Sequence, residues 1–201
     1  MSHPVPPQLE ERLLAAFADP VSPAYGQAAT IGLDHTPQVR SVHWHYRPER
    51  EALAFNTNTQ SAKWLEVASA PTIAGCYIDM AQGLQWRWDG SAERLDGGNS
   101  ADHTFLQTMW ETIRPDIRTT YWANYLHGSD TATLDAGVEI DRRCPTCGVI
   151  LCLPSRWDVY IINLTDYSQG TRTIYTLTGT EWSARRVSLL HTKERPVSAS
   201  A

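Results

Sequence analysis

Thr57, Ser61 and Lys63 stand close together in the segment FNTNTQSAK, residues 55–63. There a strand-like apolar run (Ala52, Leu53, Ala54, Phe55) gives way to an amphipathic stretch, 61–70, that stops at Pro71. A helix N-terminus carries unpaired backbone N–H groups and the positive end of the helix dipole, so it attracts anions. Small hydroxyls at such a junction add short donors. A lysine in the first turn opposes the dipole unless an anion is bound there. Arg40, two connections earlier, supplies a second cation whose forked donors suit phosphate. The same residues also describe a plain capped helix with an exposed lysine.

Two other clusters could do chemistry. In HWH, His43 and His45 alternate with Trp44 on a period-two segment, so both imidazoles point the same way and could ligate a metal. No third ligand is evident, and hydrogen bonding or pocket lining is the expected role; no metal site is assigned. In CPTC, Cys144 and Cys147 form a C-x-x-C pair. A redox pair wants a helix N-terminus to lower the thiol pKa. Here an apolar, strand-like run follows, and a zinc site would need a second pair. A structural or incidental pair is expected. The chain has no G-x-S-x-G, no Walker-type G-K-[ST], no G-x-G-x-x-G and no H-E-x-x-H.

The elements that must position these residues are mostly short strands. Strand patterns are read at AATIGL (28–33), QVRSVHWHY (38–46), EALAFNT (51–57), TIAGCYID (72–79) and LQWRWDGSAERL (84–95). Further along they are read at GVILCLP (148–154), DVYIINL (158–164), RTIYTLTG (172–179) and EWSARRVSL (181–189), with a hairpin turn at Thr178-Gly179-Thr180. Helices are expected at Leu9–Ala18, ended by the prolines of DPVSP, and at Ser61–Ala70. A helical excursion spans about 99–125, with Asn99 or Ser100 as N-cap, a helix to about Ile113 and a second piece from Asp116 to Tyr125. Consecutive strands joined by tight turns argue for an antiparallel, mainly β fold, most simply a small barrel. One domain over 1–201 is expected, with a frayed tail at about 193–201.

Bulk numbers narrow the partners. The 201 residues are 42% hydrophobic and 19% charged, enough apolar material for a proper core. The net charge of -5 argues against a general nucleic-acid binder, while a local basic pocket remains allowed. No apolar run reaches transmembrane length and the N-terminus lacks a secretory pattern, so a cytoplasmic location and no membrane partner are expected. Cys76 and Cys152 sit in apolar runs, as buried thiols do. Eight Trp is a high count, to be read as a Trp-rich core or as pocket and interface lining.

Arg40-Ser41-Val42, then FNTNTQSAK, then QWRWDGSAERL resemble, in order and spacing, the pyridoxamine 5'-phosphate oxidase-like flavoproteins. Those proteins show R-x-V, F-x-T-N-x-x-S-x-K and Q-x-R-x-x-G in the same sequence. The likeness covers roughly residues 25–96, and RPDIRTTYW and the closing strands extend it more loosely. It implies an FMN-binding split β-barrel of about six to eight strands. It also implies a homodimer with FMN at the subunit interface and an oxidoreductase acting on a small molecule. Carried over by position, Arg40 and Lys63 would bind the FMN phosphate, with Thr57 and Ser61 donating nearby and Ser41 and Val42 beside them. Asn56 would lie along the cofactor, and Gln85 would contact the ribityl chain or the ring edge. His45 stands where the true oxidases have a lysine near substrate and flavin. Arg118 and Tyr121 are the residues expected on the substrate side. The chain departs from the pattern at Ala62, where relatives often carry a second phosphate cation. It also has Arg172-Thr173-Ile174 where the true oxidases have R-x-H, and Asp166 or nothing at their tryptophan. The likeness therefore implies FMN binding without reaching pyridoxamine phosphate oxidation. The alternative is a flavin- or haem-binding module on the same barrel that does not turn over, and a weaker third is a zinc or redox role for Cys144 and Cys147.

Overall fold

The computed structural model describes residues 5–17, 24–135 and 137–190. Its first element is a helix, α1 (Pro7–Phe17), opened by a proline whose fixed φ suits a first helical turn. Leu9, Leu13 and Phe17 recur every fourth residue on one face and all are buried. The prolines of DPVSP that were to end this helix, and the tail expected to fray, lie outside the described residues.

Five strands and a short helix follow: β1 (Ala24–Ile31), β2 (Pro37–Arg47), β3 (Ala52–Asn58), α2 (Ala62–Ser69), β4 (Thr72–Asp79) and β5 (Leu84–Leu95). Asn99 then accepts from the Ala101 amide and opens a single 3-10 turn that leads into α3 (His103–Glu111). Helix α4 (Pro115–His127) closes on Gly128, whose φ of 66° is the left-handed conformation that suits glycine at a helix end. The chain closes with β6 (Cys147–Ile161), β7 (Thr171–Thr178) and β8 (Glu181–Val187). The last two are joined through Gly179, at φ 62°, as the hairpin pattern predicts.

All pairings are antiparallel. The order is β3-β2-β1-β4-β5-β6, and β3 also pairs with β6. The six strands therefore close into a barrel, while β7 and β8 extend the sheet beyond β6. The fold is mainly β, as expected from the run of strands and tight turns.

Two expected strands, 148–154 and 158–164, are one. Strand β6 runs through Pro154, and its register against β5 shifts between Asp89 and Gly90. Proline cannot donate to a ladder, so it is tolerated at such a bulge and does not end the strand. The first half of β6 is buried on both faces. Ile150 and Cys152 face the barrel core, whereas Val149 and Leu151 pack under Phe105, Leu106 and Met109 of α3. That double burial explains its continuous apolar run.

The tryptophans build the core. Trp44 and Trp88 meet edge-on at 5.1 Å between ring centroids, Trp88 and Trp157 lie at 5.4 Å, and Trp44 meets Phe55 at 4.9 Å. Gly75 of β4 lies under the Trp88 indole, and a Cβ there would come within 2.2 Å of the ring. Only glycine lets the large ring seat against the strand.

Candidate functional site

Helix α2 covers one end of the barrel with Trp64 and Val67, both part of the core. Ser61 occupies its N-cap position but makes no side-chain capping bond. Its hydroxyl instead lies 3.1 Å from that of Thr57. The intrahelical bonding begins with Trp64 N–H donating to the Ser61 carbonyl. Among the described residues, the Ala62 and Lys63 amides have no acceptor. A helix start whose cap turns aside in this way keeps donors available for an anion.

Lys63 is half-buried and, among the described residues, forms no ion pair. Burial lowers the pKa of its ammonium, the Arg40 guanidinium lowers it further, and Glu66 partly offsets both. Arg40 reaches the same helix from β2. One of its terminal nitrogens donates to the Thr30 hydroxyl, and the other donates to Glu66 Oε2 at 2.6 Å. Thr30 in turn donates to Glu66 Oε2 at 2.5 Å. Glu66 and Thr30 are both buried. Thus Thr57, Ser61 and Lys63 meet at the start of α2, and Arg40 reaches the helix at Glu66, near enough to Lys63 to act on its ammonium. Glu66, one turn beyond Lys63, joins them and was not anticipated. Its three-residue spacing from Lys63 on a helix was the available clue.

The remaining candidates divide by strand face. Val42 points into the core, so only its backbone faces outward chemistry. Ser41 is exposed on the opposite face, across from Gln27 of β1. His43 and His45 share that face, their rings 4.2 Å apart. His45 is almost fully buried, with Nε2 3.3 Å from the Thr112 hydroxyl. Burial, then the neighbouring His43 and Arg47, push its pKa down to about 3, so the ring is neutral at physiological pH. The His43 Nε2 is buried without a hydrogen-bond partner among the described residues.

Asn56 lies on the outer face of β3 and donates through Nδ2 to the Met109 carbonyl at 2.9 Å, at the end of α3. His45 and Asn56 thus meet the same helix end, at Thr112. Gln85 sits three strands from β2 in the sheet order, roughly 14 Å at ~4.8 Å per strand. It lines a separate cavity of about 390 Å³ with Tyr160, Tyr167 and Leu189. The larger cavity, about 560 Å³ between α1 and the β4–β5 hairpin, holds none of the expected site residues.

Arg118 and Tyr121, expected on the substrate side, are engaged inside the fold. Arg118 donates to the Ile113 and Glu111 carbonyls and pairs with Asp141 at 2.7 Å, tying α3, α4 and the following loop together. Tyr121 packs edge-on against Trp110 at 5.6 Å, and burial raises its pKa. Arg172 is likewise taken: it grips the fully buried Asp158 with two bonds, 2.9 and 2.7 Å. Cys144 and Cys147 are free, buried thiols packed beside Trp110, and Cys147 begins a strand. Burial pushes the Cys147 thiol up to about 12, the reverse of an activated cysteine. Among the described residues no group of three or more His, Cys, Asp or Glu could hold a metal.

No family model matches the chain, and no curated protein matches it. Solved structures do. A pyridoxamine 5'-phosphate oxidase-related, FMN binding protein from Nostoc punctiforme PCC 73102 superposes with a TM-score of 0.72 at 18% identity, over 92% of this chain and 98% of that one. PhzG from Burkholderia lata 383, solved with tetrahydrophenazine-1-carboxylic acid, superposes with a TM-score of 0.65 at 17% identity over 90% of both chains. The chain has the split β-barrel fold of these proteins. No helix among the described residues is long and apolar enough to cross a membrane.

Proposed function

We propose that the protein belongs with the pyridoxamine 5'-phosphate oxidase-like flavoproteins and binds FMN with its phosphate at the start of α2. One observation carries the reading. Lys63, the Thr57–Ser61 hydroxyl pair and the two acceptor-free amides of Ala62 and Lys63 lie at the first turn of α2, with Arg40 near enough to Lys63 to act on its ammonium. The donor set fits a phosphate, which favours charged donors and backbone N–H groups together. FMN would supply hydride and electron transfer once bound. The chain's own residues would anchor the phosphate and, through Ser41, Asn56 and the neutral His43–His45 pair, present hydrogen-bonding groups without a strong acid or base. On this reading the protein is an oxidoreductase of a small molecule and works as a homodimer. The exposed apolar residues Tyr25, Val39 and Ile78 on the uncovered sheet face favour a second copy there. Four free cysteines suit a reducing cytoplasm. With Arg172 locked on Asp158, pyridoxamine phosphate is not the proposed substrate.

The test is calorimetric titration with FMN of the wild-type protein and of Lys63→Ala. Losing a charged donor to phosphate is expected to weaken binding by roughly 1.5–3 kcal/mol, about tenfold to a hundredfold. Equal affinities for the two proteins would refute the placement of the phosphate. A second reading, a flavin- or haem-holding module without turnover, is favoured by the buried, partner-free His43 Nε2, since a neutral imidazole nitrogen is what a metal takes. A haem absorption band on reconstitution would support it. Rapid reduction and reoxidation of bound flavin would exclude it.

A further inference from the structure

Glu66 changes the electrostatics of the anion site. Its side chain is buried with 7% exposure, and its Oε2 accepts from both Arg40 and Thr30. The Thr30 hydroxyl closes the arrangement by accepting from Arg40 while donating to Glu66. Arg40 is therefore held by a carboxylate and a hydroxyl before any ligand arrives. Lys63 forms no ion pair among the described residues, and Arg94 meets the same helix from its other side, over the Trp64 ring at 5.0 Å and donating to the Trp64 carbonyl. A phosphate monoester carries roughly two negative charges at neutral pH.

We propose that Glu66 sets the charge of this site: by neutralising Arg40 it lowers the positive charge that faces a doubly charged phosphate. The inference rests on the FMN reading above and adds a residue that governs affinity for the phosphate end. The site thus carries one cation fewer than its basic side chains suggest. The helix amides and two hydroxyls complete the coordination, and Glu66 opposes the ligand's second charge. Affinity for FMN is thereby held below what the donor set alone would allow, and the flavin becomes exchangeable. The effect is confined to the phosphate end, because Glu66 lies on α2 against Arg40 and Thr30, and His43, His45 and Gln85 sit elsewhere on the sheet.

Two substitutions restore the missing charge by different routes. Glu66→Gln keeps the shape and an accepting oxygen for Arg40 and Thr30 but removes the negative charge. Ala62→Arg adds a cation at the exposed first residue of α2 without touching the core. Each is expected to tighten FMN binding by on the order of tenfold, because a unit charge at several ångströms from a bound anion is not fully screened. Riboflavin, which lacks the phosphate, is expected to bind each variant as it binds the wild type. The experiment is calorimetric titration of the three proteins with FMN and with riboflavin, after circular dichroism has shown each to be folded. A gain of affinity cannot come from structural damage. If folded Glu66→Gln binds FMN no more tightly than the wild type, or if riboflavin gains equally, the inference is overturned while the FMN reading stands. If Glu66→Gln does not fold, Glu66→Met, which also removes the charge, is titrated and decides by the same criterion. A wild type that binds no FMN overturns both.

Discussion

Asp158 is the most demanding point in the sheet, and its replacement by Asn has a calculable outcome. The carboxylate has no solvent exposure. Its two oxygens take both bonds of Arg172 and one from Arg87, and Arg156 approaches at 3.5 Å. Burial alone would raise its pKa, yet these arginines hold it below the usual carboxylate range. Asparagine keeps one accepting oxygen and turns an amide N–H₂ toward guanidinium donors. The Arg172 charge, itself buried, loses its partner. Removing one member of a buried pair costs about 3–5 kcal/mol, and a domain of this size loses about 2–4 °C of Tm per kcal/mol. The expected fall is therefore about 6 °C or more, read by calorimetry, with a matching drop in the urea midpoint. Asp89→Asn is the control: its bond to Arg156 is half-exposed at both ends and should cost under ~1 kcal/mol. A loss below about 1 kcal/mol in Asp158→Asn would refute the claim that this carboxylate anchors β7 to the barrel.

Burial of His45 and the close packing at Gly75 have measurable consequences too. His45 is buried neutral with its pKa near 3, against 6.5 when unfolded. Below pH 6.5 the unfolded chain therefore takes up a proton that the folded chain refuses, and stability is present above 6.5 and lost as pH falls. The loss is about 2 kcal/mol by roughly pH 5, and in His45→Gln the fall in urea-unfolding free energy between about pH 7 and pH 5 should be smaller by that amount; an unchanged fall would contradict the burial of a neutral ring. At Gly75, a methyl group would meet the Trp88 ring at 2.2 Å. Gly75→Ala should thus cost about 1–3 kcal/mol or more through overpacking, measured by thermal denaturation, and a neutral effect would mean that the indole is free to move.

Much of the barrel was legible because its determinants are local. Period-two patterns and Gly or Pro turns define β1 to β5, and the Thr178-Gly179-Thr180 turn is marked by its glycine. The closure of the barrel by β3 against β6 was not legible, since no local pattern records a pairing between residues 53–58 and 147–152. Pro154 was misleading: it reads as a strand end, and only the bulge against Gly90 shows why it is tolerated. The site was legible where chemistry clusters in sequence, at Thr57, Ser61 and Lys63. Glu66 was missed because its importance comes from burial against Arg40 and Thr30, which are distant in sequence. Arg118 and Tyr121 looked available as types. Their partners, Asp141 and Trp110, belong to a loop and a helix whose packing no spacing reveals.

Whether the start of α2 holds the phosphate of FMN is read from the absorbance spectrum of freshly purified protein. Flavin bands, release of FMN and not riboflavin on denaturation, and loss of the colour in Lys63→Ala are expected. Colourless protein that takes up no FMN on titration would contradict that placement.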